Sequence, residues 1–61
     1  NDAELYYGLS TVYALMGEKD LAVELLRKVM ETDPSYKSRI KNDINFKILD
    51  RHEGYRSLIA S

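Results

Sequence analysis

Cysteine is absent from this chain of 61 residues, which has a single histidine and a single proline. No disulfide can form without cysteine, and one histidine leaves only carboxylates to complete a metal site. No apolar run approaches the roughly 18 residues of a transmembrane helix. The acidic start, residues 1–4, lacks the basic segment of a signal peptide. These absences favour a cytoplasmic chain without a membrane partner.

Groups suited to catalysis are also scarce. Asp50, His52 and Glu53 form the most reactive-looking cluster, but no second histidine or cysteine accompanies them. Ser10 and Ser57 have no basic partner nearby in sequence, and no glycine-rich phosphate loop occurs. The sequence therefore predicts a protein that is not an enzyme, with no catalytic residue, no metal and no cofactor.

Charge is divided unevenly along the chain. Residues 1–33 carry seven acidic and three basic side chains, whereas residues 34–61 carry three acidic and six basic ones. The ordinary interpretation is a solvated surface, and the alternative is that these charges steer assembly or a partner. A DNA-reading helix after the turn at Gly17 would be basic, but this one contains Asp20, Glu24 and Glu31. No nucleic acid partner is expected.

Two amphipathic helices joined by a tight turn are predicted for residues 6–34. Apolar and small residues at helical spacing form the predicted buried face of the first helix: Tyr6, Leu9, Ser10 and Tyr13. Gly17 supplies the turn, and Pro34 closes the second helix. The predicted stripe of that helix is Leu21, Ala22, Leu25, Leu26 and Val29. The centre of the core is expected at Leu9, Tyr13, Ala22, Leu26 and Val29.

Start and stop signals place helices near residues 3–16, 19–32, 35–42 and 53–60, with a helical turn near 43–49. Asn1 with Glu4 resembles a capping box, and Asp33 caps the helix that follows. A break near Asn42 is favoured over one continuous helix. The tail supplies a predicted apolar cluster of Ile44, Phe46, Ile48 and Leu49, followed by a short helix with Tyr55, Leu58 and Ile59. Gly8 lies inside the first helix, where it costs about 1 kcal/mol, so either a close neighbouring helix or an open binding groove is expected beside it.

The spacing of residues 6–34 resembles the tetratricopeptide repeat, a helical hairpin of about 34 residues. Tyr6 stands in the tryptophan position of that pattern. The positions that match it outright are Leu9, Tyr13, Gly17, Ala22 and Pro34, whereas Ser10, Leu26 and Val29 are replacements. A second segment resembles the degenerate tails after the last repeat of bacterial members, through Asp43, Phe46, Leu49, Tyr55, Leu58 and Ile59.

The resemblance implies an all-α fold in one domain, with a helix-turn-helix hairpin over residues 1–34 and C-terminal capping helices over 35–61, as in a fragment of an α-solenoid. It also implies a protein–protein interaction module that binds a peptide or partner protein, or ends a scaffold array. The partner-binding positions carried over are Glu4, Tyr7, Gly8, Thr11, Ala14 and Leu15. The chaperone-binding type of this family has Lys and Asn at the places of Tyr7 and Thr11, so that activity is not expected here.

Two alternatives remain open from the sequence. The same six residues would pack against a preceding repeat if this chain is a fragment of an array. The whole unit would serve as a structural cap, or self-associate into a homo-oligomer, without a separate ligand. A chain of this length has little core of its own, because it buries only about 60% of the surface that its unfolded form exposes.

Overall fold

The computed structural model describes residues 1–60 and is all-helical over them, with no strand in that part of the chain. The four α-helices are α1 (Asp2–Leu15), α2 (Lys19–Thr32), α3 (Lys37–Lys41) and α4 (Glu53–Ala60). Two 3₁₀ segments, Pro34–Tyr36 and Ile44–Leu49, lie on either side of α3. The predicted helices and the predicted break near Asn42 are confirmed, with bounds that differ by at most two residues.

Side-chain caps mark where these elements begin. Asn1 Oδ1 accepts a hydrogen bond from the Glu4 backbone N–H at 3.1 Å. Asp33 caps the first 3₁₀ segment and Asp43 the second, each through a carboxylate that accepts a backbone N–H two residues on. Only half of the predicted capping box forms, because the Glu4 carboxylate binds Tyr36 and Arg39. The side chain of Glu4 therefore fastens α1 to a later part of the chain.

The turn between α1 and α2 depends on Gly17. Its φ of +81° lies in the left-handed region that side chains with a Cβ rarely adopt. Gly17 N–H donates to the Ala14 carbonyl at 3.1 Å, and Glu18 N–H donates to the Tyr13 carbonyl at 2.9 Å. This pair of bonds is the Schellman motif, which satisfies the last carbonyls of a helix. The predicted role of Gly17 is thus confirmed.

The core lies between α1, α2 and the tail. Its fully buried large side chains are Leu26 and Val29 of α2, Ile40 of α3, and Phe46 and Leu49 of the second 3₁₀ segment. Tyr55 of α4 is also buried, and α4 contacts both α2 and α3. The tail therefore turns Phe46, Leu49 and Tyr55 inward, whereas Leu58 is only partly buried.

Two of the residues predicted to be buried in the hairpin face solvent instead. Leu9 is 41% exposed, so its placement at the centre of the core was wrong, and Leu21 of the predicted α2 stripe is 48% exposed. Tyr13 and Leu25 are only partly buried. The buried residues of α1 are Ala3, Tyr7, Ser10 and Ala14. The helix is thus turned by about one residue position from the prediction.

The predicted apolar cluster of the tail also divides between inside and outside. Ile44 is 74% exposed and Ile48 is 45% exposed, whereas Phe46 and Leu49 are buried. The reason is the period of a 3₁₀ helix, which has three residues per turn. That period aligns Phe46 with Leu49 on one face and leaves the isoleucines on the others.

Candidate functional site

α1 has apolar or small residues on two faces, and only one of them is covered by the chain. We call the set Ala3, Tyr7, Ser10 and Ala14 the inner face. We call the set Leu5, Leu9, Val12 and Met16 the outer stripe; Met16 caps the helix in helical conformation. Each set recurs at intervals of three and four residues, which keeps its members on one side of the helix. The two sets have very different surroundings.

α2 and the tail both cover the inner face, and the tail contacts it at Tyr7. The Tyr7 ring lies against Phe46 in an edge-to-face arrangement, with centroids 5.6 Å apart and an interplanar angle of 78°. The Tyr7 hydroxyl donates a hydrogen bond to the Asp43 carboxylate. Burial and this hydrogen bond raise the pKa of Tyr7 above its ordinary value. Tyr7 is thus an internal contact between α1 and the second 3₁₀ segment.

An exposed polar cluster fastens the same edge of α1 to α3. The Arg39 guanidinium lies 4.3 Å from the Tyr7 ring centroid and 5.4 Å from that of Tyr36. Arg39 also pairs with the Glu4 carboxylate, to which the Tyr36 hydroxyl donates at 2.8 Å. Hydrogen bonds from Arg39 and then Tyr36 hold the pKa of Glu4 below its usual range, and the same contact with Glu4 raises the pKa of Tyr36. This arrangement joins α1 to the first 3₁₀ segment and to α3.

The six residues predicted to bind a partner lie in different surroundings. Tyr7 and Ala14 are buried by the chain itself, so neither side chain lines an open groove in this structure. Thr11 is partly buried, and its hydroxyl donates to the Tyr7 carbonyl at 3.1 Å. Glu4 is exposed but occupied by Arg39. The physical reason is that the tail folds over the side of α1 that the prediction left open.

Gly8 and Leu15 are the predicted partner-binding residues that remain accessible. Leu15 is 71% exposed. A Cβ added at Gly8 would meet no atom within 4 Å. The close neighbouring helix expected to compensate for this glycine is therefore not supplied by residues 1–60. Partner binding at these two positions stays a prediction.

The outer stripe is the main surface that sequence reasoning missed. Its four side chains, in chain order, are 61%, 41%, 51% and 65% exposed. No charged residue occurs from Leu5 to Gly17, so the surroundings of the stripe are neutral as well. The signal was present in the sequence as spacings of four, three and four residues. It was missed because Leu9 had been assigned to the buried face.

His52 has a structural position at the start of α4. Its Nδ1 accepts the Gly54 backbone N–H at 3.1 Å, and its Nε2 lies 2.7 Å from Asp20 Oδ1. Since Nδ1 accepts, Nε2 carries the proton that is donated to Asp20. Among residues 1–60, no group of three or more His, Cys, Asp or Glu side chains comes together as a metal site requires. The arrangement ties α4 to the first turn of α2.

None of the helices within residues 1–60 combines the length and apolar character needed to cross a membrane. Comparison of the chain with protein-family models, with curated proteins and with solved structures finds no match in any of the three.

Proposed function

We propose that this chain is a protein–protein interaction module of the tetratricopeptide-repeat type, acting in the cytoplasm. Its docking surface is the outer stripe of α1, together with Gly8 and Leu15. The occupant of this surface is an apolar helical segment, either from a partner protein or from a neighbouring repeat.

The observation that carries the proposal is the exposure of the outer stripe. Apolar side chains scattered singly on a surface need no explanation, but a contiguous patch marks an interaction site. The four side chains of the stripe are between 41% and 65% exposed and lie on one side of a single helix. A helix with this spacing docks by the same packing that joins helices in bundles.

Gly8 supports a helical occupant in particular. Glycine within a helix costs about 1 kcal/mol relative to alanine. Here no backbone conformation or internal contact requires it, since its φ is not positive and the space beside it is open. A close-approaching helix from outside would use that space.

Binding to a displayed library of amphipathic helical peptides tests the proposal, with the full chain as bait. A selected peptide should bind Leu9→Glu and Val12→Glu at least about tenfold more weakly, because each change places a charge in the apolar contact. Ile44→Glu is the matched control, since Ile44 is 74% exposed but lies outside α1. Peptides that are indifferent to the stripe variants, or that depend on Ile44, would refute the proposed surface.

A structural cap for a solenoid is the second candidate, and the covered inner face favours it. A terminal unit must be closed on one side and apolar on the side that meets its neighbour. The chain has this asymmetry, with Phe46 and Tyr7 packed together on the closed side. Fusing an idealised repeat before Asn1 should raise the melting temperature, and Leu9→Glu should abolish the gain. No gain in the fusion would count against the cap.

A further inference from the structure

We infer that the outer stripe pairs with the outer stripe of a second copy of this chain, as two antiparallel α1 helices related by a two-fold axis. This inference rests on the proposed docking surface and names its occupant. Three properties of the stripe carry it: its spacing, the position of Gly8 and its area.

The spacing of the stripe is that of a coiled-coil seam. Leu9 and Met16 take the a positions of a heptad, and Leu5 and Val12 take the d positions. In an antiparallel pair each a residue meets a d residue of the other helix. Leu9 then meets Val12 of the second copy, and Leu5 meets Met16. All four residues are used, and the axis falls midway along the stripe.

The stripe ends where α1 ends. Gly17 has a φ of +81° and turns the chain away after Met16, so Lys19 opens α2 and lies outside the heptad register. Four residues from each copy therefore make the whole seam, with a contact between Leu5 and Met16 at each end.

Gly8 and Leu15 flank the seam on the same side, both at g positions. Positions g face each other in an antiparallel pair, so each Gly8 lies across from Leu15 of the other copy. Leu15 is 71% exposed, and the space at Gly8 is open. Leu15 of one copy thus fills the space beside Gly8 of the other. This single contact accounts for the exposure of Leu15 and for the glycine inside the helix.

The area suits a weak dimer. With ordinary side-chain areas, the exposed parts of the stripe come to about 400 Å² on one copy, within the range of the largest apolar patch on a typical monomer. Two copies with Leu15 and the flanking residues bury on the order of 1,000 Å², the lower bound for a specific interface. We expect a dimer with a Kd on the order of 100 µM or tighter.

Sedimentation equilibrium of the full chain from about 10 µM to 1 mM tests the inference. Leu9→Glu should raise the dimer Kd at least about thirtyfold, because each dimer buries two unpaired carboxylates. Val12→Glu should do the same, and Ile44→Glu should leave the Kd unchanged. Circular dichroism of each variant confirms that the monomer remains folded. A wild-type chain that stays monomeric at 1 mM overturns the inference.

A pair of substitutions at Gly8 and Leu15 tests the antiparallel geometry separately. Gly8→Leu should weaken the dimer at least about tenfold, because its side chain takes the space that Leu15 of the second copy fills. Gly8→Leu combined with Leu15→Ala should recover most of that loss. Equal affinities for these two variants and the wild type would overturn the antiparallel pairing.

The proposed function can fail independently of the dimer. A monomeric chain that still binds a helical peptide through Leu9 and Val12 would refute the second copy as occupant and retain the docking surface. A chain that neither dimerises nor binds peptides through the stripe would refute both.

Discussion

The inner face and the outer stripe of α1 repeat at the same helical intervals, yet one is buried and the other faces solvent. The inner face consists of small residues around Tyr7, and the tail packs onto it through Phe46. The outer stripe consists of long aliphatic side chains that residues 1–60 leave exposed. Burial on the first face follows from α2 and from specific partners of Tyr7 in the tail. The second face has the apolar content for burial but lacks the partner.

This difference shows what the chain provides for itself. The tail supplies the Phe46 ring and the Asp43 carboxylate as partners of Tyr7, and α3 supplies Arg39 at the exposed edge. Because the ring and the hydroxyl of Tyr7 both have partners within the chain, the inner face does not require another protein to cover it. The outer stripe has no comparable polar fastening, so any docking there depends on apolar contact and shape.

Removing the tail after Lys41 should have the largest effect, because it uncovers Tyr7 on the inner face and the side of the hairpin that the tail covers. The deletion takes away the buried residues Phe46, Leu49 and Tyr55. A chain this small has almost no stability to spare. We expect the truncated protein to lose cooperative unfolding or to aggregate, as followed by circular dichroism melts beside the full chain. A melt that matches that of the full chain would show that the tail is an appendage.

Replacing a leucine by alanine should reduce stability much more in the core than on the outer stripe. Leu26→Ala should cost about 2–5 kcal/mol, because this side chain has no exposed surface and its loss leaves a cavity. Leu9→Ala should cost under about 1 kcal/mol, since the side chain already meets water. Urea unfolding at low protein concentration measures both. Similar losses for the two variants would mean that the faces of α1 are misassigned.

The sequence predicts the helices of this protein better than the face that each one buries. Caps and breakers act locally, so Asn1, Gly17, Asp33 and Pro34 were sufficient to place the helix ends. In α2 the apolar residues lie mostly on one side, and Ala22, Leu26 and Val29 are buried as predicted. The prediction held where a single periodic pattern was available.

α1 offers two patterns, and the periodicity of its sequence does not choose between them. Leu9 belongs to one pattern and Tyr7 to the other, and the prediction assigned Leu9 to the core. The choice is made by Tyr36, Arg39 and Phe46, which lie about 30 to 40 residues later in the chain. No local rule contains that contact. The partner-binding positions carried over from the repeat resemblance shared this limit, because the tail that covers Tyr7 was treated as a cap for other helices.

Alanine at Gly8 and at Gly54 should change stability in opposite directions. Gly8→Ala should stabilise the monomer by about 1 kcal/mol, because it gains helix propensity in open space. Gly54→Ala should destabilise it by about 1 kcal/mol, since the new Cβ would lie 3.2 Å from Val23 Cγ1 and 3.2 Å from His52 Cε1. Val23 is buried and His52 is held by hydrogen bonds, so neither can yield freely.

Thermal unfolding at low concentration compares the two glycine variants with the wild type. The two variants compare a covered surface with an uncovered one. Gly54 allows a close contact within the chain, whereas the space beside Gly8 is open. A stabilising Gly54→Ala would show that α4 is loosely packed on α2. A destabilising Gly8→Ala would show that something already occupies the space beside the outer stripe.

The smallest expected effect concerns the acid sensitivity of the covered side. Arg39 and Tyr36 hold the pKa of Glu4 below the ordinary value of 4.5. A lowered folded pKa means that Glu4 stabilises the fold above pH 4.5 and that this contribution is lost as the pH falls through the lowered value. The free energy of unfolding should thus fall more steeply on acidification below about pH 4.5 in the wild type than in Glu4→Gln.

Asp33 also has a lowered pKa, through its hydrogen bonds with Ser35, but that contribution is common to both proteins and cancels in the comparison. Glu31→Gln removes an exposed carboxylate from α2 and serves as the control, which should keep the wild-type slope. Because Glu4 joins α1 to α3 on the covered side, the acid-induced loss should leave the outer stripe unaffected. Dimerisation followed at the same pH values would then change no more in Glu4→Gln than in the wild type. Equal slopes in the wild type and Glu4→Gln would show that the contacts of Glu4 with Arg39 and Tyr36 add nothing to the fold.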